Sequence, residues 1–240
     1  MRVLSQAFVR AGIPVSLTQG FRPHPRFSLA LALPLGASSE AEYADVELER
    51  TVDAMEAARQ LNRVLPPGIR VKQVQEVPVG TPPLQSQVAA ARWLLEMELV
   101  APPDSPAVQD ALSRLLEQPH LPLVREKGEK VRTVDARPLI LAAQVRAAPE
   151  GEVGEQTEAA CGSGSDGGGQ VVRVEAVLAA GSSSLRAAEF ARLLAEAGGW
   201  ELRRLRIHLL QLYALRDGVL VDPARLGEEA WRDYHRKAGF

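Results

Sequence analysis

The stretch Thr18–Gly36, TQGFRPHPRFSLALALPLG, constrains this chain more than any other. Gly20 can adopt a positive φ that other residues avoid. Pro23 and Pro25 fix their own φ and push Arg22 and His24 toward extended backbone. Phe21 to Arg26 is therefore predicted to be a stiff extended loop, not helix. Phe27 to Leu33 follows as an apolar run of strand length, bounded by proline on both sides and stopped by Pro34-Leu35-Gly36. Its alanines and leucines are weak strand formers, so the prolines carry the argument for a strand.

The loop presents Gln19, Arg22, His24 and Arg26 between its prolines. Guanidinium groups on a rigid extended backbone suit phosphate, so one reading is an anion-binding loop. The other is a solvated loop leading into a core strand. One observation favours binding: residues 1–39 hold Arg2, Arg10, Arg22 and Arg26 and no acid before Glu40. The four histidines, His24, His120, His208 and His235, are scattered along the chain. No metal site is predicted, since zinc takes several ligands at local spacing.

Composition sets outer limits. The 240 residues can hold one large or two small domains, and the 46% apolar content supports a core. Net charge is −2, so any nucleic-acid role has to rest on a local patch. Of 28 basic residues only four are lysine, a bias that a GC-rich genome explains without function. Cys161 is the single cysteine, which excludes an internal disulfide or a cysteine-held cluster and fits a reducing cytoplasm. No signal peptide or apolar run of spanning length is present in this sequence, so no membrane role is expected.

In order, Met1–Ala11 reads as a helix, with Leu4, Phe8 and Ala11 on one face and Gly12 and Pro14 ending it. Val15–Leu17 reads as a short strand. Glu42–Glu49 alternates like a strand and is expected to pair antiparallel with Phe27–Leu33 through a turn at Gly36–Ser39. A helix through Met55, Leu61 and Leu65, capped by Thr51 or Asp53, stops at Pro66-Pro67-Gly68. Ile69–Val77 reads as a strand and Gly80–Gln87 as a linker.

The order then repeats. Arg92–Val100 reads as a strand. Pro106–Leu116 reads as a helix capped by Ser105. Leu121–Arg125 is a short strand before a turn at Lys127–Lys130, and a longer strand lies around Leu139–Val145. Val171–Leu178 is a strand, Ser184–Ala197 a helix and Arg203–Leu215 a strand. Residues 147–170, rich in Gly, Ser and Glu, read as a disordered insertion. The predicted fold is α+β: tandem ferredoxin-like (βαββαβ) units. The first spans 1–79 and lacks its N-terminal strand; the second spans 88–215. A tail, 216–240, is expected to carry a short helix near Glu228–Lys237, with Trp231 and Tyr234 expected to pack back on the body.

Four patterns together carry a resemblance: Ala11–Pro14 (AGIP), Gln19–Pro25 (QGFRPHP), Pro34–Gly36 (PLG), and Lys127-Gly128 followed by Asp135-Ala136-Arg137-Pro138. Over roughly residues 2–215 the chain resembles an uncharacterised bacterial family. It is described as radical-SAM-linked, for its occurrence fused to or encoded near a cobalamin-binding radical S-adenosylmethionine protein. The resemblance implies such a protein as partner but brings no assigned activity. Members begin about two dozen residues earlier, with a strand before the first helix, so a start upstream of Met1, or a fragment, is expected. A missing central strand would leave backbone groups unpaired.

Asp135 is the one weak candidate for a reactive acid, by analogy with pseudouridine synthases, which also use tandem ferredoxin-like folds; fold analogy alone is a thin warrant. The plainer reading is an Arg–Asp pair fixing a hairpin. Glu40, Glu42 and Asp45 read as a solvated strand edge. The chain has neither the CxxxCxxC motif of radical enzymes nor a GxxxxGK[ST] phosphate loop, so no cofactor is expected in it. Three functions remain open. The chain could present RNA or a substrate to a radical enzyme through Arg22, Arg26, Lys127, Lys130, Arg132 and Arg137. It could modify nucleic acid with Asp135. Or it could be a purely structural docking domain.

Overall fold

In the computed structural model the described residues are 2–100, 103–128, 130–146, 171–181 and 183–226. The elements in chain order are α1 (Arg2–Arg10), β1 (Phe27–Leu29), β2 (Ser38–Ser39), β3 (Ala44–Val46), α2 (Ala54–Val64), α3 (Leu84–Gln87) and β4 (Val88–Leu99). They continue with α4 (Ser105–Glu117), β5 (Pro122–Lys127), β6 (Lys130–Asp135), a 3-10 turn at Arg137–Leu139, β7 (Ile140–Arg146), β8 (Val171–Ala179), α5 (Ala187–Gly198), β9 (Leu202–Arg216) and β10 (Val219–Val221). The architecture is α+β. The chain divides into two compact units, one of residues 1–32, 42–88 and 214–240, the other of residues 33–41 and 89–213.

In the first unit α1 buries Ala7 and Phe8 and ends where Gly12 turns left-handed, φ 65°. Asp53 caps α2, its carboxylate accepting the Glu56 N–H at 2.7 Å. Ala7, Phe8, Val15 and Leu61 form a core against which Phe27, Val46 and Leu48 pack, and the Phe8 and Phe27 rings meet edge to face at 5.4 Å. β1 and β3 pair antiparallel, Phe27 opposite Val46, and Ala30 N–H extends the pairing to Tyr43. The strand expected over Phe27–Leu33 thus stops early.

The strand expected at Ile69–Val77 does not form. The Asn62 side chain takes both backbone groups of Val71, its Nδ2 donating to the carbonyl at 2.9 Å and its Oδ1 accepting the N–H at 2.8 Å. A helix side chain here occupies the position of a neighbouring strand. Val15–Leu17 makes only isolated bridges, Val15 to Leu48 and Leu17 to Pro25. Among the described residues β1 and β3 are thus a two-stranded sheet, and the tandem repeat read from element order is not seen here.

The second unit is built on strands laid side by side as β9-β4-β8-β7. β4 and β8 are antiparallel over nine residue pairs, Ala90 to Glu98 against Ala179 to Val171, and β7 and β8 are antiparallel too. Alternation along β4 sends Trp93, Leu95, Met97 and Leu99 inward and Arg92, Leu94, Glu96 and Glu98 outward. The interior side chains Leu95, Met97 and Val174 are fully buried, as are Leu112 and Leu115 of α4 and Phe190 and Leu194 of α5. The α4 cap is Asp104, not Ser105: its Oδ1 accepts the Ala107 N–H at 3.0 Å, and Ser105 starts the helix.

The polar face of this sheet is laced with ion pairs. Arg173 Nε meets Glu96 Oε1 at 2.9 Å across paired positions. Buried Glu175 takes Arg92 on one oxygen, and Arg146 Nε lies 3.1 Å from the other, out of line for a hydrogen bond.

Two expectations change around the central turn. Pro34–Ala37 does turn, with Gly36 at φ 80° and Ala37 N–H on the Pro34 carbonyl. Ser38 and Ser39, expected inside the turn, instead form β2, which lies parallel to β9 with Ser38 opposite His208. The insertion 147–170, Cys161 and the helix expected at Glu228–Lys237 lie outside the described residues.

Candidate functional site

The Gln19–Arg26 loop is pinned at its base. Leu17 bridges Pro25, Thr18 N–H donates to the His24 carbonyl at 2.8 Å, and His24 N–H donates to Thr18 Oγ1 at 3.0 Å. One step further Arg26 N–H donates to the Ser16 carbonyl. Gly20 sits at φ 130°, outside the range of L side chains, and lets the chain reverse. The extended loop predicted from its prolines is thus closed into a small ladder whose tip, Gln19 to His24, is exposed.

The sequence-predicted residues here divide. Gln19, Arg22 and His24 are exposed, and among the described residues Arg22 makes no ion pair. Arg26 is engaged: its Nη1 reaches both carboxylate oxygens of Glu47 at 3.0 Å. With both side chains exposed this bond is worth about 0–1 kcal/mol, and it neutralises the cation locally.

The second basic element is the β5–β6 hairpin, with Arg125 opposite Arg132 and Lys127 opposite Lys130 around Gly128 at φ 60°. Lys130 and Arg132 are exposed. Arg125, its neighbour, faces inward: its guanidinium makes two bonds to Glu189, 2.8 and 2.6 Å, and one to the Ser184 carbonyl.

Arg137 serves the fold. Its Nε donates to the Leu116 carbonyl at 2.8 Å, satisfying an end of α4, and its Nη1 to the Ile140 carbonyl at 3.2 Å. Asp135 is similarly occupied. One oxygen accepts the Leu121 and Arg137 N–H groups at 2.9 and 3.0 Å, and the other accepts His120 Nδ1–H at 2.9 Å. The His120 bond first, then the two backbone donors, hold its carboxyl down at about 2. Through these bonds the carboxylate braces the base of the hairpin.

One constellation was not legible in the sequence. Ser38 Oγ lies 2.7 Å from His208 Nδ1, and His208 Nε2 lies 3.2 Å from Glu40 Oε1. A carboxylate only accepts, so His208 Nε2 is the donor to Glu40. The signal for half of it was present: Ser38 and Glu40 lie two apart in the sequence. Nothing local points to His208, 170 residues on. The arrangement joins β2 to β9, and a hydroxyl, an imidazole and a carboxylate in that order also move protons readily.

Sequence reasoning also passed over Phe21. Its ring is fully exposed, at 108% relative accessibility, the highest among the exposed large apolar residues. Its signal was an aromatic between a glycine and an arginine in a proline-spaced loop. Among the described residues no group of three or more His, Cys, Asp or Glu could hold a metal ion, and no helix is long and apolar enough to cross a membrane.

The model of one family, described as an uncharacterized protein conserved in bacteria (DUF2344), matches residues 1–174. The chain belongs to this family. No curated protein matches it. The match takes in the Gln19–Arg26 loop, the β5–β6 hairpin and Asp135, whereas His208 lies beyond it.

Proposed function

We propose that this chain is a binding module without catalysis of its own, which holds RNA through two basic elements for a radical S-adenosylmethionine partner. The observation that carries this reading is the pinned Gln19–Arg26 loop. Its tip offers Arg22 and His24 to solvent on a backbone fixed by the Thr18–His24 bonds. A pre-fixed loop loses little entropy on binding, and residues 1–39 contain no acid, the carboxylate at the loop being Glu47 beside Arg26. Lys130 and Arg132 offer the same chemistry on the hairpin. Arg26 Nη1 and Arg137 Nε and Nη1 already bond protein groups, so each has fewer of its five N–H donors left for phosphate than Arg22. The partner rests on the family resemblance alone. The second unit supports the ferredoxin-like reading through its element order and the inner place of β4, the first of its four main strands.

Binding of a mixed cellular RNA pool across a salt series tests the reading. Wild type is expected to bind at low salt and weaken steeply as salt rises. Arg22→Ala and the pair Lys130→Ala/Arg132→Ala should each lower the slope of log affinity against log salt, by roughly 0.7 per lost phosphate contact. No binding at low salt overturns the RNA reading and leaves docking to a protein partner as the function of the fold.

A further inference from the structure

We propose that Phe21 is a stacking platform for one unpaired base of a single-stranded RNA. The inference rests on the reading that the loop takes RNA and adds the feature of RNA that it recognises. Phe21 stands at the tip of the pinned loop with its ring wholly in water. A phenylalanine left there forgoes the burial that places most such rings in cores. Its neighbours Gln19, Gly20, Arg22, Pro23 and His24 are exposed as well, so the ring is an isolated apolar plane within a polar, cationic rim.

That combination discriminates between occupants. An apolar pocket on a protein partner would bury Phe21 but would also strip water from Arg22 next to it, at a cost unless a carboxylate were supplied there. A nucleotide satisfies both groups together. Its base offers a π-face to the ring, and the adjoining phosphate meets the guanidinium without full desolvation. The rigid base of the loop matters equally. Leu17–Pro25 and Thr18–His24 hold the ring out before any ligand arrives, so stacking does not have to order the loop. A single ring takes a single base, tolerates any base identity and needs that base out of a helix. The preference expected is therefore for unpaired RNA over duplex, with little sequence selectivity.

The test compares the full chain with Phe21→Ala, Phe21→Leu, Phe21→Trp and Arg22→Ala. The probes are a roughly 12-nucleotide single-stranded RNA, the same RNA annealed to its complement, and inorganic polyphosphate. Phe21→Ala and Phe21→Leu should each weaken single-strand binding by about 10- to 100-fold, the range for loss of one stacked base. Their binding of polyphosphate should stay within about twofold, whereas Arg22→Ala should weaken both. Phe21→Trp should keep the affinity and show fluorescence quenching by single-stranded RNA beyond that of wild type. Thermal melting of the Phe21 variants should match wild type, because the ring touches no core. If Phe21→Leu binds single strands as tightly as wild type, stacking is overturned while the charge-based reading stands. If wild type binds neither RNA nor polyphosphate, both fall. If Phe21→Ala loses a protein partner but not RNA, the ring is a protein anchor and the proposal fails.

Discussion

Ser38 and His208 are partners twice: they face each other in the parallel ladder of β2 and β9, and their side chains share a hydrogen bond of 2.7 Å. The imidazole continues to Glu40, the residue that follows β2. A strand of two residues has little backbone pairing of its own, and the Glu40 N–H to Leu209 carbonyl bond at 2.9 Å is part of what it has. His208→Ala removes both side-chain bonds, worth about 1 kcal/mol together at a partly exposed site. The Glu40 amide should then exchange with solvent roughly fivefold faster. Amides in the middle of β8 should not change. Unchanged Glu40 exchange would show that the side-chain relay does not hold the strand.

Asp135 makes stability depend on acid. Its carboxyl is held down at about 2, by the His120 hydrogen bond foremost, against about 3.9 in an unfolded chain. The group therefore stabilises the fold fully above about pH 4, and that contribution is lost as pH falls through 2. Asp135→Asn should lower stability at neutral pH and flatten its decline between pH 4 and pH 2. Urea unfolding across that window measures both. An equal decline in the variant would assign the acid sensitivity to other carboxylates.

Arg125 and Glu189 tie the β5–β6 hairpin to the start of α5. Burial pushes the Glu189 carboxyl up, but its bonds to Arg125 and to the Arg186 N–H outweigh this and leave it below the usual range. Removing the arginine leaves a largely buried carboxylate short of two donors. Arg125→Ala should cost about 2–3 kcal/mol. Arg125→Lys should recover little, since one ammonium cannot reproduce the fork. A double-mutant cycle with Glu189→Ala should return a coupling above about 1 kcal/mol. Additive losses would mean that the two side chains act independently.

Gly20 tests the loop itself. At φ 130° a side chain is strained whatever space surrounds it, by about 1–3 kcal/mol. Gly20→Ala should loosen the Thr18–His24 bonds, speed exchange of both amides and weaken RNA binding, with little change in the global melting transition. Retained RNA affinity with a loosened loop would show that rigidity is not what the ligand uses.

Much of the second unit was legible because its sheet has one covered face. Trp93, Leu95, Met97 and Leu99 alternate with Arg92, Leu94, Glu96 and Glu98, and a strict period of two leaves one register. α1 and α2 were legible for a related reason, a periodic apolar face closed by Gly12 or by Pro66-Pro67. Ile69–Val77 misled because its valines suit a strand, whereas the partner that satisfies Val71 is the side chain of Asn62. A side chain standing in for a backbone neighbour leaves no mark in propensity. β2 is too short to carry a pattern, and its partner lies 170 residues away in sequence. At the candidate site, residue type alone could not separate Arg22, left in solvent, from Arg26, Arg125 and Arg137, which the fold uses. The distinction depends on Glu47, Glu189 and the Leu116 carbonyl being within reach.

The short strand β2 lies in residues 33–41, a segment that belongs to the second unit but is flanked in sequence by parts of the first. A fragment cut at residues 89–213 would therefore carry β9 up to Tyr213 without the residues that cover its side at His208 and Leu209. Bare N–H and C=O groups on a long strand recruit other chains. Dissecting this protein at its apparent boundary should thus yield material that self-associates. Splicing residues 33–41 back onto the fragment, as a circular permutant would, is the way to keep it monomeric.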